Sequence, residues 1–498
     1  MKELLASLFF FIILAPLGCG GNKGNTLTAP AAPAHLAAVA GDAQVTLKWN
    51  ASAGAASYQV YDKLSSDPSF RQMGSTSATA FTVTGLTNGQ TYFFAIIAVN
   101  AAGWSGYSKE AGATLISGAP TDLTGVSGDQ QVSLGWNSTI GATSYTVYVS
   151  TMSGGHYTKV HSGAGASYTA TGLTNGIMYY FVVTAVNSAG ESGYSNETSA
   201  TPVFKKVYPS GGYGPVKIAI DSTKNIWVTN FSSFTVTKLS NNGIIIGTYL
   251  AGCGPGDIAI SNTGNVWVTN RCSNNVAELG IGVYPVGTSL SYPVSIAIDS
   301  VGNVWVGNTS GVAELSPTGA QINSYAVGSN FFLFYPVSMA IDNSNNLWIV
   351  NEIYSDVTEL SPTGTTIGTY AVGYTPIGIA IDSTGNEWVV NNAGGNLTKL
   401  SPAGETIGTY NVGTSPNDIA IDASGNVWVT TYWSNTIREL NSDGTIIGTY
   451  AVGANPLGIA IDSTGNVWVA DYGDNTVTEL IGAATGPQYF PYTGPQWP

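Results

Sequence analysis

The sequence is poor in charged residues, which make up only 9% of its 498 positions. Long helices need Glu, Lys and Arg on their water-facing side, so this composition disfavours a helical fold. The 15 Lys and Arg form no visible cluster and are outnumbered by 29 Asp and Glu. Because phosphate backbones are bound by grouped cations, the sequence predicts no nucleic-acid partner. Val, Thr, Tyr, Ile and Trp alternate with Gly and Asn, which favours short strands joined by tight turns.

Histidine and cysteine are also scarce, with three residues of each. The histidines all precede the repeat region of the chain: His35, His156 and His161. The cysteines show no zinc-site spacing, and the sequence contains neither a Gly-rich phosphate loop nor a haem motif. For want of histidine, no Ser/His/Asp group can be assembled in the repeats. We therefore expect no catalytic residue and no cofactor.

The first 18 residues are predicted to be a signal peptide. Lys2 precedes an apolar run from Leu4 to Leu17, which is too short to span a bilayer. The following Gly-Cys19-Gly resembles the lipobox of bacterial lipoproteins, although Pro16 stands where that family prefers Leu. The resemblance implies cleavage before Cys19, acylation of its thiol and an outer-membrane location, with residues 19–30 as a tether. Plain secretion with an incidental cysteine is the alternative.

Two segments of the chain then match each other. Trp49 and Tyr58 in the first copy correspond to Trp136 and Tyr145 in the second. Apolar residues alternate with polar ones, and turn signals come about every ten residues, which predicts two antiparallel sandwiches.

Both copies also carry Thr-Gly-Leu-Thr-Asn-Gly, with a Tyr six residues after the Leu: Tyr92 follows Leu86, and Tyr179 follows Leu173. This spacing resembles the tyrosine corner of fibronectin type III domains, and the two Trp match their core Trp. We predict such domains over residues 31–116 and 117–203. The resemblance implies that they serve as spacers, and ligand binding by their loops is the alternative.

Residues 204–481 form a repeat. Its unit begins Pro-x-x-Ile-Ala-Ile-Asp and continues with Gly-Asn-Val-Trp-Val, both with small variations, and its Pro falls at 215, 255, 293, 336, 376, 416 and 456. Four short strands per unit of about 40 residues are typical of propeller blades, so the fold class is all-β with a seven-bladed propeller. The last unit stops after three strands, and residues 204–209 supply the missing strand, so both chain ends are expected to close the ring. The repeats resemble the NHL and streptogramin-lyase-like propeller families, and a Pro- and aromatic-rich tail follows at 482–498.

The loops of the repeat differ between the two faces of the predicted propeller. Asp-Ser-Thr-Gly-Asn recurs after the first strand, and we interpret its Asp as a turn residue and not as part of a metal ring. The loops of the opposite face, which we call the variable face, carry large apolar and charged side chains that mark interaction sites. The predicted binding residues are Lys217, Phe231, Phe234, Asp257, Arg271, Phe331, Phe332, Phe334, Glu352, Tyr354, Asp418, Tyr432, Trp433 and Tyr472. Packing of these side chains against the second sandwich or the tail is the alternative.

The two remaining cysteines are also expected on the variable face. Cys253 comes just before the first strand of the second unit, and Cys272 comes just after its second strand. Because these strands are antiparallel neighbours, both positions fall close together, and we predict a disulfide.

The resemblance to streptogramin lyases implies a His and a Glu acting with magnesium near the channel, but the repeats contain no His. Gluconolactonase-like propellers hold a divalent metal with oxygen ligands, which Asp257, Asp418, Asn270 and Asn391 could supply. We predict an exported surface module, not an enzyme, whose propeller binds a protein or a carbohydrate and which meets the membrane only through its lipid anchor. A metal-dependent hydrolase or lactonase is the alternative, and a surface-layer component without a discrete ligand is a third reading.

Overall fold

The computed structural model describes residues 27–286, 292–309, 311–327 and 336–485. This part of the chain has 44 β-strands and two short 3-10 helices, Tyr432–Ser434 and Ala483–Thr485. It divides into two compact units, one mostly of residues up to Gly118 and the other mostly of residues from Ala119 onward. The predicted signal peptide, Cys19, the aromatic run with Phe331, Phe332 and Phe334, and the C-terminal tail after residue 485 lie outside the described residues. Among the described residues, no helix has the length and hydropathy needed to cross a membrane.

The first unit is a β-sandwich. Its strands are β1 (Ala34–Gly41), β2 (Gln44–Asn50), β3 (Ser57–Leu64), β4 (Arg71–Thr76), β5 (Ala80–Thr84), β6 (Thr91–Asn100), β7 (Gly103–Trp104) and β8 (Ala111–Thr114). One sheet has the order β1-β2-β5, and the other has the order β4-β3-β6-β7 with β8 paired to β6. Trp49 and Tyr58 meet edge to face in the core at 5.3 Å, and the Tyr92 hydroxyl accepts the N–H of Thr87. The predicted tyrosine corner is therefore present.

A second sandwich repeats this plan. Its strands are β9 (Thr121–Gly128), β10 (Gln131–Asn137), β11 (Ser144–Ser150), β12 (Thr158–Gly163), β13 (Ser167–Thr171), β14 (Tyr179–Asn187), β15 (Gly190–Glu191) and β16 (Thr198–Ala200). Its sheets have the orders β13-β10-β9 and β12-β11-β14-β15, with β16 paired to β14. Trp136 and Tyr145 are 5.5 Å apart, and the Tyr179 hydroxyl accepts the N–H of Thr174.

The repeats form a β-propeller. The strands of the first four repeats, preceded by β17, are β17 (Phe204–Pro209), β18 (Pro215–Ile220), β19 (Ile226–Asn230), β20 (Thr235–Leu239), β21 (Ile245–Leu250), β22 (Pro255–Ile260), β23 (Val266–Asn270), β24 (Asn275–Glu278), β25 (Gly282–Pro285), β26 (Ser295–Ile298), β27 (Val304–Asn308), β28 (Gly311–Leu315), β29 (Gln321–Tyr325), β30 (Pro336–Ile341), β31 (Leu347–Asn351), β32 (Asp356–Leu360) and β33 (Thr366–Ala371). The remaining strands are β34 (Pro376–Ile381), β35 (Glu387–Asn391), β36 (Asn396–Leu400), β37 (Thr406–Asn411), β38 (Pro416–Ile421), β39 (Val427–Thr431), β40 (Thr436–Leu440), β41 (Ile446–Ala451), β42 (Pro456–Ile461), β43 (Val467–Asp471) and β44 (Thr476–Ile481).

Each repeat pairs its four strands in chain order as an antiparallel sheet, and the last sheet has the order β17-β44-β43-β42. The first strand of each repeat contacts the first strand of the next, and β18 contacts β42. β17 pairs with β44 from Phe204 opposite Ile481 to Pro209 opposite Thr476. The chain before the first repeat thus supplies the strand that the last repeat lacks, as the sequence predicted. At the outer edge of the sixth repeat, Tyr450 of β41 bridges to Ser127 of β9 in the second sandwich.

Each repeat has a buried Trp, which is hydrogen-bonded to the first turn in every repeat but the second, where Ser261 replaces the Asp. In the sixth repeat, one carboxylate oxygen of Asp422 accepts the N–H groups of Ser424 and Asn426, and the other accepts the indole N–H of Trp428 at 3.0 Å. The same Asp–Trp bond occurs in six repeats, through Asp221, Asp299, Asp342, Asp382, Asp422 and Asp462. The recurrent Asp therefore serves both the turn and the packing between sheets.

The turn carboxylate of Asp382 is held as an anion. Burial alone would raise the pKa of Asp382, but hydrogen bonds from Thr384, Asn386 and Trp388 outweigh burial and lower the pKa to about 2. Each Trp also packs against a Tyr of the outermost strand in its own sheet. In the last sheet this partner is Tyr208 of β17, at 5.8 Å from Trp468.

One carboxylate breaks the repeat pattern. Glu387 is only 1% exposed, and its Oε2 has no hydrogen-bond partner among the described residues. The other repeats have an aliphatic residue in this place: Ile226, Val266, Val304, Leu347, Val427 and Val467. Burial raises the pKa of Glu387 to about 8, and the nearby carboxylates of Glu359, Asp342 and Asp382 add to this effect.

Glu387, Glu439 and Asp471 are expected to make the protein less stable as the pH rises. Burial raises the pKa of Glu387 to about 8 and those of Glu439 and Asp471 to about 7, above their usual values of 4.5 and 3.8. Between roughly pH 4.5 and 8 the folded chain therefore binds more protons than the unfolded chain, so the free energy of unfolding falls as pH rises. Thermal unfolding at pH 5 and pH 8 checks this expectation.

Glu387→Leu is the matched variant for this measurement. A buried acceptor without a partner destabilises the folded state by about 1–3 kcal/mol. The variant removes this acceptor, so at pH 8 it should be more stable than the wild type. Its loss of stability between pH 5 and 8 should also be smaller. Equal pH dependence in the two proteins would show that Glu387 does not carry the effect.

Candidate functional site

The variable face is formed by two sets of loops. Because the strands of each repeat are antiparallel, the loops between second and third strands lie at the same end as the connections between repeats. The residue before the repeat Pro has a left-handed backbone at Gly214, Gly254, Tyr292, Thr375, Ser415 and Asn455. The carbonyl of this residue accepts an N–H from the loop beside it, as in Arg271 to Gly254 and Tyr432 to Ser415. These hydrogen bonds hold the loops between second and third strands against the connections between repeats.

Exposed aromatic side chains are concentrated on this face. In the described loops of the variable face they are Tyr213, Phe234, Tyr292, Tyr354, Tyr374, Trp433 and Tyr472. The described turns of the opposite face contain no aromatic residue. The ring of Tyr472 lies beside the backbone of the neighbouring connection, because a Cβ added to Gly214 would be 3.1 Å from that ring.

Three of these rings were not among the predicted binding residues: Tyr213, Tyr292 and Tyr374. Tyr374 is the most exposed, at 77%. Their signal in the sequence is a Tyr one or two positions before a repeat Pro, whereas the residue before Pro is Gly254, Ser415 or Asn455 in three other repeats. Of the predicted rings, Phe231 and Tyr432 are half-buried, and Tyr432 meets Trp433 edge to face at 4.8 Å. Phe331, Phe332 and Phe334 lie outside the described residues.

A salt bridge crosses the centre of this face. The Nζ of Lys217, in the first repeat, lies 2.7 Å from Oδ1 of Asp418, in the sixth. The repeat between them offers no side chain here, since a Cβ on Gly458 would lie 2.8 Å from the Cα of Lys217. Burial would lower the pKa of Lys217, but the charges of Asp418 and Asp257 outweigh it, so the pKa is raised. Lys217 is therefore held as a cation.

The other predicted charged residues interact with this pair. Burial raises the pKa of Asp257, and the charge of Lys217 offsets part of that rise. Burial also raises the pKa of Glu352, with Arg271 acting in the opposite direction. The structure thus brings Lys217, Asp257 and Asp418 into one electrostatic group, and it couples Arg271 to both Lys217 and Glu352.

Of the four residues considered for a metal, the two aspartates have other partners, whereas the side-chain oxygens of Asn270 and Asn391 are buried and have no hydrogen-bond partner among the described residues. The carboxylate of Asp257 accepts the N–H groups of Ile258 and Ile296, and Asp418 accepts the N–H of Ile459 besides Lys217. Asn270 and Asn391 donate to residues of the third strand in their own sheets. The described residues contain no group of three or more His, Cys, Asp or Glu arranged to hold a metal. Because the repeats also contain no histidine, the residues present do not fit the magnesium site with a His and a Glu that the resemblance implies.

The two cysteines of the second repeat lie side by side, as predicted from the strand pairing. The N–H of Cys272 donates to the carbonyl of Cys253 at 3.2 Å, and the thiols are close enough to interact. Both are free thiols in the structure. The disulfide itself therefore stays a prediction.

Comparison with known proteins gives two kinds of match. The profile of the virginiamycin B lyase family matches residues 205–480, and that of the fibronectin type III domain matches residues 31–114 and 118–201. Among solved structures, a streptogramin B lyase has a TM-score of 0.50 at 21% identity, covering 56% of this chain and 97% of its own. A virginiamycin B lyase from Staphylococcus aureus has a TM-score of 0.50 at 20% identity, covering 56% and 99%. At such identities the likeness shows the fold alone.

The curated relatives match over shorter segments. An amylopullulanase of Thermoanaerobacter thermohydrosulfuricus is 46% identical over 86 residues, which are 17% of this chain and 6% of that protein. Exoglucanase B of Cellulomonas fimi is 30% identical over 240 residues, covering 43% and 21%. The chain thus spans only a small part of the curated relatives it matches.

Removing Lys217 should destabilise the propeller. Lys217→Met leaves Asp418 and Asp257 without their counter-charge. We expect the free energy of unfolding to fall by about 1–3 kcal/mol. This is less than for a fully buried pair, because Lys217 is partly exposed. The double variant Lys217→Met/Asp418→Asn removes the stranded charge and should recover part of the loss. Urea unfolding of the three proteins measures this. A double variant no more stable than the single one would contradict the pairing.

The cysteine pair should oxidise in an exported chain. A disulfide there would close a loop of about 20 residues and add roughly 3 kcal/mol of stability in the chain-entropy model. Non-reducing mass spectrometry of the secreted protein should show no alkylation at Cys253 or Cys272, and Cys272→Ser should unfold at a lower temperature. Full alkylation of both thiols without prior reduction would disprove the bond.

Proposed function

Because the chain belongs to the virginiamycin B lyase family through its propeller, yet has no histidine there, we propose that this propeller binds a protein or glycan and does not cleave a substrate. The family resemblance implies a His and a Glu acting with magnesium. The propeller of this chain has no histidine, and the described residues contain no group of three or more His, Cys, Asp or Glu arranged to hold a metal. Binding on the variable face requires neither.

The concentration of exposed rings on one face carries this proposal. Turn chemistry and packing account for the recurrent Asp and Trp of the repeats. They do not account for Tyr213, Tyr374 and Trp433, each of which is more than two-thirds exposed. Tyr and Trp are the side chains that most often anchor a partner. The central charges are neutralised by one another, so the rings, and not the charges, supply the affinity.

The rest of the chain fits the role of presenting this face. We propose that the sandwiches hold the propeller away from a membrane, and that Cys19 carries a lipid anchor after export. The relatives that match the sandwiches support a non-catalytic role for these domains, since the matched segments are small parts of glycoside hydrolases. Export also provides the oxidising environment that the cysteine pair needs.

A metal-dependent hydrolase or lactonase is the competing function. The family match favours chemistry in the channel, whereas the Lys217–Asp418 salt bridge places a cation where an acidic pair would otherwise attract a metal. Asp257→Ala/Asp418→Ala separates the two functions. Binding through aromatic rings survives this change, and metal chemistry does not.

The test compares the full chain with a face variant and a rim variant on arrays of glycans and exported proteins. The face variant is Tyr213→Ala/Tyr374→Ala/Trp433→Ala. The rim variant, Ile367→Ala/Ile407→Ala/Ile446→Ala, removes exposed apolar residues of the outermost strands. Three anchors at about 1–2 kcal/mol each predict at least a hundredfold loss of affinity in the face variant. The rim variant should bind like the wild type.

Two results would count against the proposal. Equal loss in the rim variant would show that the effect is not specific to the face. Loss of the signal in Asp257→Ala/Asp418→Ala, together with metal-dependent turnover, would favour the enzyme.

A further inference from the structure

The water-facing side of the first sandwich carries a cluster of aromatic rings. Along β3 the inward side chains Tyr58, Val60 and Asp62 are buried, and Tyr61 and Lys63 alternate with them on the outer side. The ring of Tyr61 lies 5.2 Å from that of Tyr107, which in turn lies 5.2 Å from Phe70. Tyr107 is 49% exposed, so its ring is open to solvent above the two others.

The second sandwich repeats the cluster at the same relative positions. The ring of Tyr148 lies 5.5 Å from that of Tyr194, and Tyr157 lies 5.4 Å from the same ring. Tyr194 is 52% exposed, which matches its counterpart Tyr107. Two copies that otherwise differ at many surface positions thus keep the same three aromatic positions on their outer sheet.

A glutamate borders each cluster at corresponding positions. In the first sandwich, Glu110 pairs with Nζ of Lys63 at 2.8 Å, and this amine lies 4.7 Å from the centre of the Phe70 ring. In the second, Glu197 accepts the Ser153 hydroxyl, the N–H of Gly154 and the Tyr157 hydroxyl. Both glutamates are exposed, so part of each carboxylate faces solvent beside an open ring.

The fold does not account for these rings. An antiparallel sheet that faces water on one side is normally polar there, and the core is already filled from the inner side by Trp49 and Tyr58 and by Trp136 and Tyr145. A half-exposed Tyr stabilises its own domain less than a buried one, yet it presents a flat apolar surface with a hydroxyl at its edge. Such residues mark binding sites when they recur together.

A sugar ring matches this surface chemically. One side of a hexopyranose is lined with C–H groups that pack on an aromatic ring, and its hydroxyls donate to carboxylates and exchange hydrogen bonds with Tyr. The net charge of −14 disfavours acidic polymers. We propose that each sandwich binds a neutral polysaccharide of hexopyranose units, with Tyr107 and Tyr194 as the contact rings. Two sites on one chain raise the apparent affinity for a long polymer.

Affinity electrophoresis of the full chain tests this site independently of the propeller. The gels contain soluble starch, hydroxyethyl cellulose or polygalacturonate, and the variants are Tyr107→Ala, Tyr194→Ala and both together. At least one neutral polymer should retard the wild type, with the apparent affinity falling roughly tenfold in each single variant and a hundredfold in the double variant. The variant Tyr107→Phe/Tyr194→Phe keeps the rings and should bind within about tenfold of the wild type.

Ile407→Ala, at the rim of the propeller, serves as the control and should bind the polymer like the wild type. The proposal is overturned if no neutral polymer retards the chain, if only polygalacturonate does, or if the double Ala variant is retarded normally. Loss of retardation in Trp433→Ala but not in the double variant would also overturn it, because the polymer would then belong to the propeller. Matching thermal unfolding of all variants ensures that a loss of retardation reflects the site.

Discussion

The propeller depends on one hydrogen bond, repeated in six of its units, from the indole of the buried Trp to the aspartate of the first turn. The same carboxylate closes the turn through its other oxygen, so the turn and the packing between sheets share one anion. In these six repeats, loss of the Asp would leave the indole N–H without this acceptor in the core. The second repeat has Ser261 at this position and still buries Trp267. The face that carries these turns is nearly uniform, and variation is concentrated in the opposite loops.

That coupling explains why most of the fold could be predicted from the sequence. The periodic Pro and Trp gave the strands, the break after Leu480 identified β17 as the missing strand, and the matched Trp and Tyr identified the sandwiches. The sequence also identified the turn aspartate, but not its hydrogen bond to the Trp indole. The alternation of apolar and polar residues in a strand does not show which buried donor a turn carboxylate reaches. Contacts between repeats are set by the closure of the ring, which no single repeat encodes.

The site was predicted less completely, for a related reason. Residue type identified Trp433 and Tyr354 as unusual, whereas Tyr213, Tyr292 and Tyr374 stand in loops before proline that have the composition of ordinary turns. Lys217 and Asp418 were both predicted, but their contact across Gly458 depends on the distance between non-adjacent repeats. For Glu387, the sequence shows that a carboxylate replaces an aliphatic residue of the repeat. The loss of folding stability that it causes depends on its burial between the packed sheets, which the sequence does not show.

The sheet built from both chain ends has a consequence for how the protein matures. Tyr208 and its partner Glu479 are separated by 271 positions, so β17 is made first and waits unpaired until the last repeat is complete. Contacts between such distant segments form late and slowly. A chain interrupted before β44 would leave an incomplete ring with open strand edges, and such edges promote association between chains. Completion of the propeller therefore depends on one late event, which is the pairing of the C-terminal strand β44 with β17.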